Sequence, residues 1–194
     1  CIRDRAGAAQ GDRSGATAFL ATARDRFRGT PIETRIQKNF LLVSLEGKPM
    51  PALEADRFIG TAREIDTDGK PTVFFFWAHW CSDCKRQIPG LEKLRARYAD
   101  RGLSFVAPTR LYGYVAGGRD ATPEQEIAYI EGARQLQDAV PEWMPKPLST
   151  ANFVNFGVSS TPTLVIVDRE GIVRQYHPGQ MTDEELDAAV RPLL

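Results

Sequence analysis

Two cysteines separated by two residues, Cys81-Ser82-Asp83-Cys84, are the side chains of this 194-residue chain best equipped for chemistry. They stand where an apolar run, Thr72-Val73-Phe74-Phe75-Phe76-Trp77, meets a segment with helical spacing at Ile88, Leu91, Leu94 and Tyr98. A cysteine at a helix N-terminus faces unpaired N–H groups and the positive end of the helix dipole, both of which favour the thiolate. Lys85 adds positive charge one turn on, and so does His79 when protonated. Asp83 works against them, because a carboxylate beside Cys81 disfavours the thiolate. Cys84 falls on the same side of the first turn, within reach of Cys81. The pair can therefore close a disulfide ring, or open one by thiolate attack through a mixed disulfide. Cys81, the outer residue, is the expected nucleophile and Cys84 the resolving thiol.

Other chemistries compete for the same spacing. Two buried structural thiols would satisfy it, as would half of a zinc site. Zinc would need two further ligands, and the remaining candidates are Cys1, His79, His177 and carboxylates. There is no second Cys-x-x-Cys and no spaced His pair, so no metal is expected and the redox couple is the favoured reading. It requires no cofactor beyond the Cys81–Cys84 disulfide itself.

Composition narrows the class. Lys plus Arg and Asp plus Glu number 25 each, so no global field draws the chain to nucleic acid or an anionic surface, and no nucleic-acid partner is expected. No apolar run approaches the length of a membrane span. Three cysteines are too few for a disulfide-stapled scaffold. The first residue is Cys rather than Met and no secretory h-region follows, as expected of a mature or trimmed chain.

The elements that must position the dithiol follow from patterning. Residues 1–38 read as an N-terminal tether plus a short helix, with Phe19, Leu20, Ala23 and Phe27 forming its stripe before Gly29-Thr30-Pro31. A domain is expected over 39–194. It opens with a strand in Asn39-Phe40-Leu41-Leu42-Val43-Ser44 and a turn at Glu46-Gly47-Lys48-Pro49. The run 72–77 is a buried central strand, a helix spans about 82–98 with a kink at Pro89, and 103–108 is the next strand. Residues 113–121 read as a loop. Thr122-Pro123-Glu124-Gln125 starts an extra helix whose stripe is Ile127, Ile130, Leu136 and Val140. A strand at 163–167, a turn, a strand at 172–177 and a helix capped by Thr182 and Glu185 complete the chain. Crossover and closing hairpin together imply an α/β fold with a mixed sheet and helices on both faces.

Set side by side, these motifs resemble a known family. Phe76-Trp77-Ala78-His79-Trp80-Cys81-Ser82-Asp83-Cys84-Lys85-Arg86-Gln87-Ile88-Pro89 resembles the active-site segment of the thioredoxin fold. Gly157-Val158-Ser159-Ser160-Thr161-Pro162-Thr163 resembles its second signature, in which a residue of the Thr161 type precedes a cis-proline, here Pro162. The resemblance implies that Trp80, Thr161 and Pro162 form a substrate-binding rim, with backbone groups beside the cis bond pairing an extended client. The segment before the core and the inserted helix are similar to the TlpA/ResA group of bacterial thiol-disulfide oxidoreductases. The implied activity is reduction of a disulfide-containing client protein, with electrons from an upstream thiol donor. Trp77 and Trp143 read as packed residues.

Two positions depart from the family pattern. The buried Asp that thioredoxins carry before the motif is replaced by Phe75, and the Glu that the TlpA/ResA group often carries after the second cysteine is replaced by Gln87. Deprotonation of Cys84 then falls to water, to His79 or to a carboxylate brought in by the fold. His79, Asp83, Lys85 and Gln87 are the candidate groups for tuning the thiols. The resemblance also implies an extracytoplasmic, periplasmic location, the cytoplasm being the alternative. Membrane contact would come only through a lipid anchor at Cys1. Two other functions share the fold. A thiol peroxidase would place a Thr where Ala78 stands, and a docking module would carry vestigial cysteines.

Overall fold

The computed structural model describes residues 13–132 and 140–194. Its centre is strand β1 (Thr72–Phe76), five consecutive buried residues. Because side chains alternate across a sheet, Val73 and Phe75 enter one core and Phe74 and Phe76 the other. A continuous apolar run is what a strand covered on both faces requires. Strand β2 (Ser104–Val106) pairs parallel to β1 after the crossover helix α3 (Ser82–Tyr98). Strands β5 (Thr163–Val167) and β6 (Val173–Pro178) extend the sheet antiparallel, giving the order β2-β1-β5-β6.

Helices α3 and α6 (Asp183–Val190) cover the first face through Ile88, Leu91, Leu94, Leu186 and Val190. They are joined by Lys93–Asp183 and by Arg97 and the Tyr98 hydroxyl on Asp187, each at 2.6 Å. Thr182 and Glu185 form the expected capping box of α6. The mixed sheet with helices on both faces is as the sequence suggested.

Four segments differ from expectation. Residues 39–44 are not a strand: they belong to helix α2 (Glu33–Ser44). The apolar run Phe40–Val43 cannot by itself distinguish strand from buried helix. No turn signal separates it from Glu33, so a helix already nucleated there propagates through it. Position 38/39 therefore lies inside α2, and Leu41, Leu42 and Leu45 pack on the second core. The segment that follows meets the edge of the sheet through an isolated bridge from Pro49 to Ile172 and a backbone hydrogen bond from Gly47 N–H to Val173 O.

Helix α1 (Arg13–Arg26) starts within the stretch expected as a tether. Residues 1–12 of that tether lie outside the described residues. The stripe of α1 is Ala16 and Leu20, whereas Phe19 is 54% exposed. α1 packs against α2, which selects the face.

Residues 113–121 are a small hairpin, β3 (Tyr114–Val115) with β4 (Arg119–Asp120), rather than a loop. Gly117 and Gly118 both sit at φ +72°, which lets the chain reverse between two very short strands. Helix α4 (Pro123–Gly132) begins at the expected Thr122/Gln125 box, each side chain bonding the other residue's backbone N–H. Of its expected stripe, Ile130 and Val140 are buried, and Leu136 lies outside the described residues. Helix α5 (Thr150–Asn155) was not anticipated, although Ser149, whose hydroxyl caps Ala151 N–H, is an ordinary N-cap signal.

Candidate active site

Cys81 is the N-cap of α3, its backbone extended (φ −81°, ψ 106°) where β1 hands over to the helix. The Cys81 sulfur accepts the backbone N–H of Cys84 at 3.1 Å, one of the donors a helix leaves unpaired in its first turn. Cys81 and Cys84 are disulfide-bonded, with Cα atoms 5.3 Å apart. Both are buried in the first core, Cys84 the more deeply. Trp77, in the same core, is tied by its indole N–H to Ala107 O at 3.0 Å.

The second signature lies beside the first. In the antiparallel pair β1/β5, Phe76 faces Thr163, so the chain entering β5 runs alongside the chain leaving β1 for Cys81. The Thr161–Pro162 bond is cis, and Pro162 O accepts Gly179 N–H at 2.8 Å. The Thr161 hydroxyl is buried and makes no hydrogen bond among the described residues. Trp80, half exposed, stands edge-on to Tyr112 with ring centres 5.4 Å apart. The sheet register thus brings the dithiol, Trp80, Thr161 and Pro162 to one end of the sheet.

The four tuning candidates separate. Asp83 is bound to Arg86 on the exposed surface of α3's first turn, which shares out its negative charge. Lys85 is exposed on the same turn. Gln87 is buried and fully occupied elsewhere: its amide donates to Met181 O at 3.1 Å and accepts Met181 N–H at 2.7 Å. It fastens α3 to the segment before α6. Phe75, at the other site where relatives carry a carboxylate, is sealed in the first core.

His79 is buried, with Nε2 3.1 Å from Oε1 of Glu126. Tyr112, Tyr114 and Tyr129 surround the imidazole, each edge-on at ring centres under 6 Å. Burial pushes the imidazole below its ordinary value, with the Glu126 carboxylate and a backbone contact to Tyr114 pulling the other way.

Glu126 is the residue that sequence reasoning missed. It has no exposed surface, and it accepts Tyr112 N–H at 2.8 Å and Gly113 N–H at 2.8 Å. A carboxylate in the first turn of a capped helix ordinarily points to solvent, which is why it attracted no notice. Its position four residues before Ile130, on the same face of the helix, was the available signal. The inserted hairpin and α4 thus enclose a buried carboxylate beside His79. Among the described residues no group of three His, Cys, Asp or Glu is placed to hold a metal ion.

Comparison with known proteins agrees with this geometry. A family model described as a thioredoxin-like domain matches residues 60–193. The chain is 28% identical over 143 residues to a thioredoxin-like protein, YneN, of Bacillus subtilis, covering 73% of this chain and 76% of that one. It is 25% identical over 155 residues to the thiol-disulfide oxidoreductase ResA of Bacillus cereus, covering 80% and 75% respectively. Among solved structures, a thioredoxin-family thiol:disulfide interchange protein from Chlorobium tepidum superposes with a TM-score of 0.56 at 19% identity, over 76% of this chain and 98% of that one. With its paired cysteines at the strand-to-helix junction, the chain belongs to the thioredoxin-like domain family and is similar to thiol-disulfide oxidoreductases of the ResA type.

Proposed function

We propose that the chain is an extracytoplasmic protein-disulfide reductase that works through Cys81 and Cys84. In the dithiol form, the Cys81 thiolate attacks one sulfur of a client disulfide. A new S–S bond joins client and enzyme as the client bond breaks, and the client's second sulfur leaves as a thiolate. Cys84 then loses its proton and attacks Cys81, releasing the second client thiol and forming the Cys81–Cys84 disulfide. The client gains two electrons and two protons, and an upstream thiol donor restores the enzyme by the same steps in reverse. No further cofactor is involved.

One observation carries this reading: the Cys81 sulfur sits at the N-cap of α3, accepting the Cys84 N–H where negative charge on sulfur would be stabilised. Half-exposed Trp80 and the Thr161–Pro162 segment would form the client's rim. The ResA resemblance supports an extracytoplasmic location, and a lipid on Cys1 would hold the domain at a membrane. Among the described residues no helix is long and apolar enough to cross one. The peroxidase alternative gains nothing from Ala78, a buried side chain with no hydroxyl.

A Cys84→Ser variant, unable to resolve the intermediate, should accumulate mixed disulfides through Cys81. These would be identified by mass spectrometry after thiol blocking, and should vanish in a Cys81→Ser/Cys84→Ser control. Absence of trapped clients, together with no reduction of 2-hydroxyethyl disulfide by the wild type, would overturn the reading.

A further inference from the structure

Helix α2 precedes the stretch matched by the family, yet it lies against the segment that leads into the cis-proline. Between them is a cavity of about 500 Å³. Arg35, Lys38 and Asn39 form its α2 wall, and Ser159, Ser160 and Pro178 form the other. Among the described residues no carboxylate lines it. Among the described residues neither Arg35 nor Lys38 forms an ion pair with a carboxylate. A third cation is close: burial, and then the charge of Arg110, push the Lys38 ammonium below its ordinary value. The Arg110 guanidinium lies over the rings of Tyr112 at 4.7 Å and Phe153 at 5.5 Å, its Nε buried without a hydrogen-bond partner. Tyr112 in turn touches Trp80. Three cations therefore run from the groove to the rim of the dithiol, in a chain whose total charge is balanced.

Like charges gathered without counter-charge weaken the folded state, and that cost is relieved when an anion enters. We infer that this groove receives acidic side chains of an extended client segment, on the residues flanking the cysteine that Cys81 attacks. The occupant is a peptide because one wall of the groove is the approach to Thr161 and Pro162, so bound carboxylates and the reacting disulfide would share one continuous track. This inference rests on the reductase reading above and adds the client's chemistry to it.

The test uses the reduced protein and two disulfide-closed peptides, identical except for a Glu pair or a Gln pair beside one cysteine. Rates are followed by tryptophan fluorescence, with uncharged 2-hydroxyethyl disulfide as the reference. At low ionic strength the Glu peptide should react about tenfold faster than the Gln peptide, with the advantage shrinking in about 0.5 M salt. In Arg35→Gln/Lys38→Gln the advantage should fall to within about twofold, while the small disulfide reacts as before. Arg35→Gln alone, at an exposed position, should remove about half of the advantage on a logarithmic scale, and Arg35→Lys/Lys38→Arg should retain it. A Glu peptide with no advantage over the Gln peptide, or an advantage that survives loss of both cations, overturns the inference with the reductase reading intact. Failure to reduce 2-hydroxyethyl disulfide would remove that reading and this inference together. Binding to phosphatidylglycerol vesicles that is abolished by the same substitutions, with peptide rates unmoved, would also overturn it by giving the groove to a membrane surface.

Discussion

Two flanks enclose the dithiol, and they handle charge in opposite ways. On the insertion side, α4 and the β3–β4 hairpin bring Glu126 to His79 inside a ring of tyrosines, where the carboxylate also accepts two backbone N–H groups. On the N-terminal side, α2 leaves exposed Arg35 and half-buried Lys38 beside Ser159 and Ser160, with no carboxylate among the described residues to answer them. A buried pair is costly to break and fixes geometry. An open, unbalanced set contributes little to stability and recruits what it lacks. The contrast assigns positioning to one flank and recognition to the other, from burial alone.

The insertion flank offers the largest effect. Glu126→Ala strands the Tyr112 and Gly113 N–H groups and leaves His79 without its partner, so urea unfolding should report a loss of about 3–5 kcal/mol. Glu126→Gln, which keeps an acceptor oxygen, should recover part of it. A loss below about 1 kcal/mol in the alanine variant would erase the distinction between the flanks.

Next in size is the pH response of the same pair. Burial lowers the folded-state value of His79 from its ordinary 6.5, so the unfolded chain takes up the proton first as pH falls. Stability should therefore decline below about pH 6.5, by about 1.4 kcal/mol per pH unit at most, until the folded imidazole also protonates. Glu126, Tyr112, Tyr114 and Tyr129 are the groups that face it. His79→Asn should flatten this acid limb in denaturant titrations run from pH 7.5 to 5, and an unchanged limb would place its origin elsewhere.

The recognition flank should give the smallest change, with the opposite sign. Lys38 is half-buried and repelled by Arg110, so Lys38→Gln should stabilise the fold by about 0.5 kcal/mol, after allowance for solvent screening. A destabilisation of 1 kcal/mol or more would mean that Lys38 is there to hold the structure.

What could be read from the chain and what could not divides along the same line. Cys81 and Cys84, the central strand, α3 and the Thr161–Pro162 turn are written in consecutive residues, where local sterics and a 3.6-residue period suffice. Glu126 and Arg110 owe their roles to contacts distant in sequence, and nothing near them marks burial or proximity. Gln87 shows the limit from the other side. Its departure from the family was visible, but its bonds to Met181 depend on the arrival of the C-terminal segment. Phe40–Val43 was misread because an apolar run fits strand and helix alike, and packing against α1 and the sheet decides between them.

Gly157 carries a consequence for biosynthesis. It sits at φ +72° where a β-carbon would come within 2.5 Å of Leu41 Cβ and 3.1 Å of Lys38 O, so α2 is seated directly on this backbone. The ribosome releases α2 early and residue 157 late. Until the later residue emerges, α2 has no seat and the cationic groove has no second wall. The nascent polypeptide thus carries both cysteines before the groove has its second wall.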